Sequence, residues 1–164
     1  MIIPSEMQNP EMQNASRHTQ FNKPTLRKGL QGIQVLELRK LLNNWGVTVA
    51  CCNHHFDGEL EKAVRQFQRR FFLQEDGMVG TATWQALYTG SPVNMPVLRR
   101  GSHDPAVQLL QQALAVTKDY RGAIDGQFGE MTEVAVRAFQ KRYGLVMDGI
   151  VGICSWRALS KTVY

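Results

Sequence analysis

The stretches 76-DGMVGTATWQAL-87 and 148-DGIVGICSWRAL-159 stand 72 residues apart and agree at seven of twelve positions. The same shift lays 26-LRKG-29 on 98-LRRG-101 and 63-AVRQFQRR-70 on 135-AVRAFQKR-142, with no gap anywhere. Between 26–87 and 98–159, 22 of 62 positions are identical. These identities concentrate at apolar and glycine positions, which carry a fold rather than a shared composition. The chain is therefore two copies of one small unit, 26–88 and 98–164. Between them 89-TGSPVNMPV-97, with two prolines and a glycine, reads as a short extended linker. Each copy has roughly 65 residues, near the lower size for a self-sufficient core, so the two are expected to lean on each other.

Helical periodicity runs through both copies. In the second, Asp104-Pro105 supplies an N-cap followed by proline at the first helical position. Val107, Leu110 and Leu114 then fall on one face. A second helix is predicted from Glu130 to Tyr143, with Val134, Ala135, Ala138 and Phe139 as its stripe and Gly144 just past its end. A third, from Ile153 to Lys161, carries Trp156 and Leu159. The first copy matches with Ile33, Leu38, Leu41 and Leu42, then Ala63, Val64 and Phe67, then Trp84 and Leu87. Three short amphipathic helices can bury their stripes only against each other. The expected fold is all-α, two tandem three-helix bundles without a substantial sheet.

Composition sets the outer bounds. The hydrophobic fraction of 43% with 20% charged residues suits a globular protein, and no apolar run reaches membrane-spanning length. The opening 25 residues, rich in Asn, Gln, Ser and Pro, read as a disordered arm. They lack the basic and apolar regions of a secretory signal. The net charge of +5 is spread over both copies without a basic run longer than two, which suits an anionic polymer but does not point to nucleic acid. Three cysteines, two of them adjacent, do not make a disulfide framework.

Two glycine-rich loops join the helices of the second copy, 125-DGQFG-129 and 148-DGIVG-152. In each, the Asp side chain can hold the turn while Gly supplies positive φ, and the apolar residue between the glycines (Phe128, Val151) can turn inward as a plug. The whole pattern, L-R-x-G…V-x-x-L…D-G-x-F-G-x-x-T-x-x-A-V-x-x-F-Q-x-x-x-G-L-x-x-D-G-x-V-G…W-x-A-L, resembles the type-1 peptidoglycan-binding domain over residues 26–87 and 98–159. Any one element is weak evidence; all of them in order, twice, are strong.

The segment 51-CCNHHFD-57 has the look of a metal cluster, but the repeat places it on 123-AIDGQFG-129. Asn53 replaces Asp125 and can make the same turn, and His54 replaces Gly126, so a positive φ is expected there. Phe56 keeps the plug, and Asp57 becomes an N-cap. Adjacent cysteines diverge too much for zinc, so the expectation is a degenerate turn with no metal and no cofactor. The first copy departs further, with Phe72-Leu73 where the second has Gly144-Leu145. The second copy has Glu130 where the family prefers proline, and Ile153-Cys154-Ser155 where it prefers P-x-T.

No catalytic residues are found. The histidines show no H-E-x-x-H or H-x-x-E-H spacing, and no G-x-S-x-G elbow occurs. Cys154 reads as a buried thiol, and the carboxylates of the D-G turns as caps. The resemblance implies non-catalytic binding of bacterial peptidoglycan, by glycan strand or stem peptide, in partnership with a cell-wall hydrolase. It implies a periplasmic or cell-wall location, although the lack of a visible signal leaves a cytoplasmic one open. Candidate ligand contacts are Asp125, Gly126, Gln127, Gln140, Arg142 and Tyr143. For Gln140 a helix-to-loop hydrogen bond is an equal reading. The alternative class is a protein-interaction scaffold that kept the fold without wall binding.

Overall fold

The computed structural model describes residues 22–50 and 53–162. Six helices follow in chain order: α1 (Ile33–Asn44), α2 (Gly58–Arg70), α3 (Thr81–Thr89), α4 (Pro105–Val116), α5 (Glu130–Arg142) and α6 (Ile153–Thr162). Among the described residues, the strand-like pairing consists of isolated bridges: Leu26 with Val79, Gln31 with His55 and Leu98 with Val151. The fold is thus all-α, two tandem units of three helices each, as the repeat predicts.

Local chemistry sets the helix ends. The Asp57 carboxylate accepts the Leu60 N–H at 2.8 Å and starts α2; Asp104 accepts that of Ala106 at 2.8 Å and, with Pro105, starts α4. Past α5 the chain reverses at Gly144, whose φ of 66° costs glycine little. Past α2 the same left-handed step is made by Phe72, at φ 56°, where a bulky side chain is unfavourable.

Each copy buries its own core. Leu38, Leu42, Val64, Phe67 and Trp84 meet in the first, and Val107, Leu110, Leu114, Phe139 and Trp156 in the second. The plugs Phe56 and Phe128 are 1% and 2% exposed, which leaves them no surface for a ligand. The chain entering each copy is strapped across its third helix. Leu26 and Val79 exchange backbone hydrogen bonds of 3.1 and 2.8 Å, and Leu98 and Val151 do so at the same lengths. The Trp84 indole donates to the Pro24 carbonyl at 3.0 Å, and Trp156 to Pro96 at 2.9 Å.

Four expectations are corrected. Val134 and Ala138 point to solvent, while Thr132, Ala135, Val136, Phe139 and Gln140 face the core. At 100° per residue, 134 and 138 lie opposite the seam that 132, 136 and 139 share. Ile33 is 72% exposed for the same reason, on the far side of α1 from Val35, Leu38 and Leu42. Cys154 is exposed, because it falls on the outer side of the first turn of α6. Finally, His54 does not adopt positive φ; among the described non-glycine residues only Phe72, Asn94 and Lys118 do. The cysteines of the suspected metal cluster, Cys51 and Cys52, lie outside the described residues, as do residues 1–21 of the proposed arm.

The copies touch through unlike surfaces. Phe72, at the end of α2, packs edge-on against Trp156 with ring centroids 5.3 Å apart. Beside it Arg70 donates to the Ser160 carbonyl at 2.9 Å and to the Trp45 carbonyl at 2.7 Å. Arg157 reaches back to the Ser91 hydroxyl at 2.6 Å. The strained backbone at Phe72 is thereby offset by the ring it delivers to the second core.

Truncating either plug should be costly in so small a core. Phe56→Ala and Phe128→Ala are each expected to destabilise by about 3–5 kcal/mol, read as a large fall in melting temperature. An unchanged melting temperature would show that the ring is not part of the core.

Candidate functional site

The loops that join the helices are built on one repeated device. In 148-DGIVG-152 the Asp148 carboxylate accepts the Ile150 N–H at 2.9 Å, closing the turn on itself. Gly149 takes φ 75°, which is why glycine stands there. From α5, the buried carboxamide of Gln140 then grips the turn at both kinds of group. Its nitrogen donates to Asp148 at 2.8 Å and to the Ile150 carbonyl at 2.9 Å, while its oxygen accepts the Gly149 N–H at 3.0 Å. Gln68 does the same for Asp76, Met78 and Gly77 in the first copy. Gln111, on α4, does it for Asp125, Gln127 and Gly126.

The fourth turn breaks the pattern. Arg39 stands where the repeat would put the partner of Gln111, and a guanidinium has only donors to offer. It gives them to the His55 carbonyl at 2.8 Å, the Ala50 carbonyl at 3.1 Å and the Asp57 carboxylate at 2.7 Å. With no side-chain acceptor for the N–H of residue 54, the turn loses its left-handed step. This is the physical reason that His54 tolerates the place of a glycine. Arg39 is 1% exposed and its Nε makes no hydrogen bond.

Around the second D-G turn lies a cleft. In the second copy it has a volume of about 440 Å³, with Gln140 and Asp148 at its base and Val146, Ile150 and Ile153 exposed at its edge. Gly144 and Gly152 leave its walls open, with no atom within 4 Å of where a side chain would begin. The first copy has the same cleft at the equivalent residues, among them Gln68, Asp76, Met78 and Thr81, but its volume is about 230 Å³. Phe72 stands where the second copy has Gly144.

The residues proposed from sequence divide between places. Asp125 and Gln127 are exposed on the loop before α5, with the Gln108 side chain close over Gly126. Gln140 is 1% exposed and its carboxamide engages the turn through both its nitrogen and its oxygen, so the structure gives it the helix-to-loop role. Arg142 and Tyr143 lie at the other end of α5, about 18 Å along the helix from the loop. There Arg142 pairs with Asp119 at 2.6 Å, donates to the Thr117 carbonyl and lies 5.1 Å over the Tyr143 ring. Gln140 alone of the six lines the cleft. Sequence reasoning missed Gln111 and the cleft edge. The signal for Gln111 was present: 110-LQ-111, like 139-FQ-140, places a glutamine beside a core residue in the helix preceding a D-G turn.

Two small helical units, each with a shallow, open cleft of mixed lining beside a rigid turn, define a surface-binding module rather than an enclosed reaction chamber. Among the described residues, no group of three or more His, Cys, Asp or Glu side chains is placed to hold a metal, and no helix is long and apolar enough to cross a membrane. The family model described as "Putative peptidoglycan binding domain" matches residues 31–87 and again 103–159. The chain belongs to this family and carries its domain twice in tandem. It is 38% identical over 109 residues to the N-acetylmuramoyl-L-alanine amidase CwlM of Mycobacterium tuberculosis, covering 63% of this chain and 27% of the amidase. It is 31% identical over 156 residues to the amidase CwlL of Bacillus licheniformis, covering 77% and 42%. Against the zinc D-Ala-D-Ala carboxypeptidase of Streptomyces albus G, identity is 48% over 60 residues, covering 34% and 22%. The chain thus spans well under half the length of these relatives. No solved structure matches it with significance.

The turns carry an acid sensitivity of known sign. The Asp148 carboxyl is held below its ordinary range by the Ile150 N–H and then by Gln140; Asp125 is held low by Gln111 and then by the Gln127 N–H. A depressed carboxyl stabilises the fold above its ordinary value and loses that contribution as pH falls through the folded value. Melting temperature should therefore decline on acidification below about pH 4. Gln140→Leu, which strands the Gly149 N–H and the Ile150 carbonyl, should cost on the order of 1–3 kcal/mol at pH 7 and weaken the acid dependence. A variant that melts like the parent would show that the carboxamide does not hold the turn.

Proposed function

We propose that the chain holds bacterial cell-wall peptidoglycan without cleaving it, as a targeting or anchoring module, with the cleft of the second copy as its principal seat. The observation that carries this reading is the recurrence of one cleft, at equivalent residues, in two copies of a peptidoglycan-binding-family domain. The larger volume in the second copy, and the backbone left open at Gly144 and Gly152, favour that copy. Exposed Val146, Ile150 and Ile153 offer apolar contact to sugar faces and acetyl methyl groups, and the flanking N–H and carbonyl groups offer polar contact.

In this reading the earlier candidates keep graded roles. Gln140 positions the turn from inside, Asp125, Gly126 and Gln127 border a second approach before α5, and Arg142 with Tyr143 forms an outer edge. A wall hydrolase is the natural partner, since the amidases and the carboxypeptidase that resemble this chain are much longer than it is. The envelope side facing the wall is the corresponding location.

Co-sedimentation of the full chain with purified sacculi tests the proposal, with suspension turbidity followed in parallel. Sedimentation at constant turbidity is expected. Ile153→Asp and Thr81→Asp place one charge at the first position of α6 and α3, where an acidic residue suits the helix N-terminus and the fold should persist. Ile153→Asp should weaken sedimentation more than Thr81→Asp. Equal effects would remove the preference for the second copy. A chain that stays in the supernatant would leave the interaction scaffold as the reading, and falling turbidity would make it an enzyme.

A further inference from the structure

A concavity larger than either D-G cleft lies not within one copy but between the two. It has a volume of about 630 Å³, within the range of small-molecule sites. On one side are Arg69, Leu73, Gln74 and Glu75 of the first copy; on the other, Leu109, Gln112 and Val116 along α4 of the second. Leu73 and Gln74 also border the first copy's own cleft, so cleft and groove adjoin across these two side chains. Phe72 lines the groove as well, and its packing against Trp156 holds the two walls in place.

The lining has a distinctive charge. Its charged members are Arg69 and Glu75, joined by three hydrogen bonds of 3.0, 3.0 and 2.7 Å, so the groove is net neutral. The α4 wall is neutral where its counterpart is not: Leu109, Gln112 and Val116 stand at the positions that α1 fills with Glu37, Lys40 and Asn44. What remains is two exposed carboxamides among exposed aliphatic side chains. Carboxamides pair with acetamido groups, and aliphatic side chains pack on sugar faces and methyl groups. A carboxylate-bearing stem peptide would enter a groove whose cation is already matched by an anion.

We infer that this inter-copy groove is a binding subsite for the neutral N-acetylated glycan strand, adjoining the first copy's cleft and made only by the tandem. The inference rests on the wall-binding reading and names the part of the polymer that the groove takes. It gives the smaller first cleft a use, as the entrance to a longer track. It also gives the Phe72 departure a functional sense, since its ring lines the groove and docks on Trp156.

The test is titration of the full chain, followed by calorimetry or amide chemical shifts, with an N-acetylglucosamine tetrasaccharide and separately with a free stem tetrapeptide. Gln112→Ala and Val116→Lys alter exposed positions, and a cation suits the C-terminal end of α4 where Val116 lies, so both variants should fold. The tetrasaccharide should bind the parent and perturb amides of both walls, and each variant should weaken it by about threefold to tenfold. Ile153→Asp, in the other cleft, should leave those two-wall perturbations in place. Tetrasaccharide binding unchanged in both groove variants would overturn the inference, as would binding of the tetrapeptide alone. Sacculus sedimentation separates the two failures. A chain that sediments but fails the titration loses the groove and keeps its wall binding, whereas a chain that does not sediment loses both.

Discussion

A buried carboxamide is the part on which the rest of the structure depends. A D-G turn presents an N–H and a carbonyl to the interior a few ångströms apart, and both must be satisfied once the plug residue draws the turn into the core. Glutamine is long enough to reach from a helix and carries a donor and an acceptor on one rigid plane. Gln68, Gln111 and Gln140 meet that need in three turns with nearly the same geometry. Arg39 shows what happens when the acceptor is missing. The turn keeps its closure from Asn53 to the His55 N–H at 2.9 Å but lacks the left-handed step, Asp57 is drawn in as counter-ion at 2.7 Å, and one guanidinium N–H is left buried without a partner. The first copy survives this because Asp57 also caps α2.

The link from turn to function is mechanical. A turn held at three points by a side chain that is itself fully buried cannot sag into the space beside it, so the cleft at its edge keeps its shape without a ligand. A preformed cleft loses little freedom on binding, which matters for a shallow site with few contacts. The two copies then spend the same fold differently. The second leaves its cleft open at Gly144, while the first has Phe72 at that place and turns its ring to the neighbouring copy.

The fold was legible in the sequence because it is written twice. A gapless repeat locates helices, turns and plugs without reference to any one residue, and Phe56, Phe128, Val79 and Val151 lie where the pattern puts them. The phase of single helices was less legible. Val134, Ala138 and Ile33 are apolar and outward, and hydrophobicity alone cannot show that Thr132 and Gln140 take the inner face for the sake of hydrogen bonds. Cys154 failed for a similar reason, as a small residue on the outer side of a first turn. The site was harder still. Clefts are made by what is absent, such as the side chain missing at Gly144, and the inter-copy groove depends on a contact between segments 84 residues apart, Phe72 and Trp156.

The contact at Phe72 also has a direction. It joins the end of α2 in one copy to α6 of the next, so the two surfaces differ, and a pairing of unlike surfaces has no built-in stop. In the second copy Gly144 stands at the place of Phe72 and offers no ring. In the first copy Trp84 is covered by Tyr88, stacked at 6.1 Å, and by Lys23; beside its counterpart Trp156 the place of that tyrosine is taken by Ser160, and Phe72 packs on the ring instead. One glycine and one tyrosine thus make the interface one-directional: the docking ring belongs to the first copy and its seat to the second.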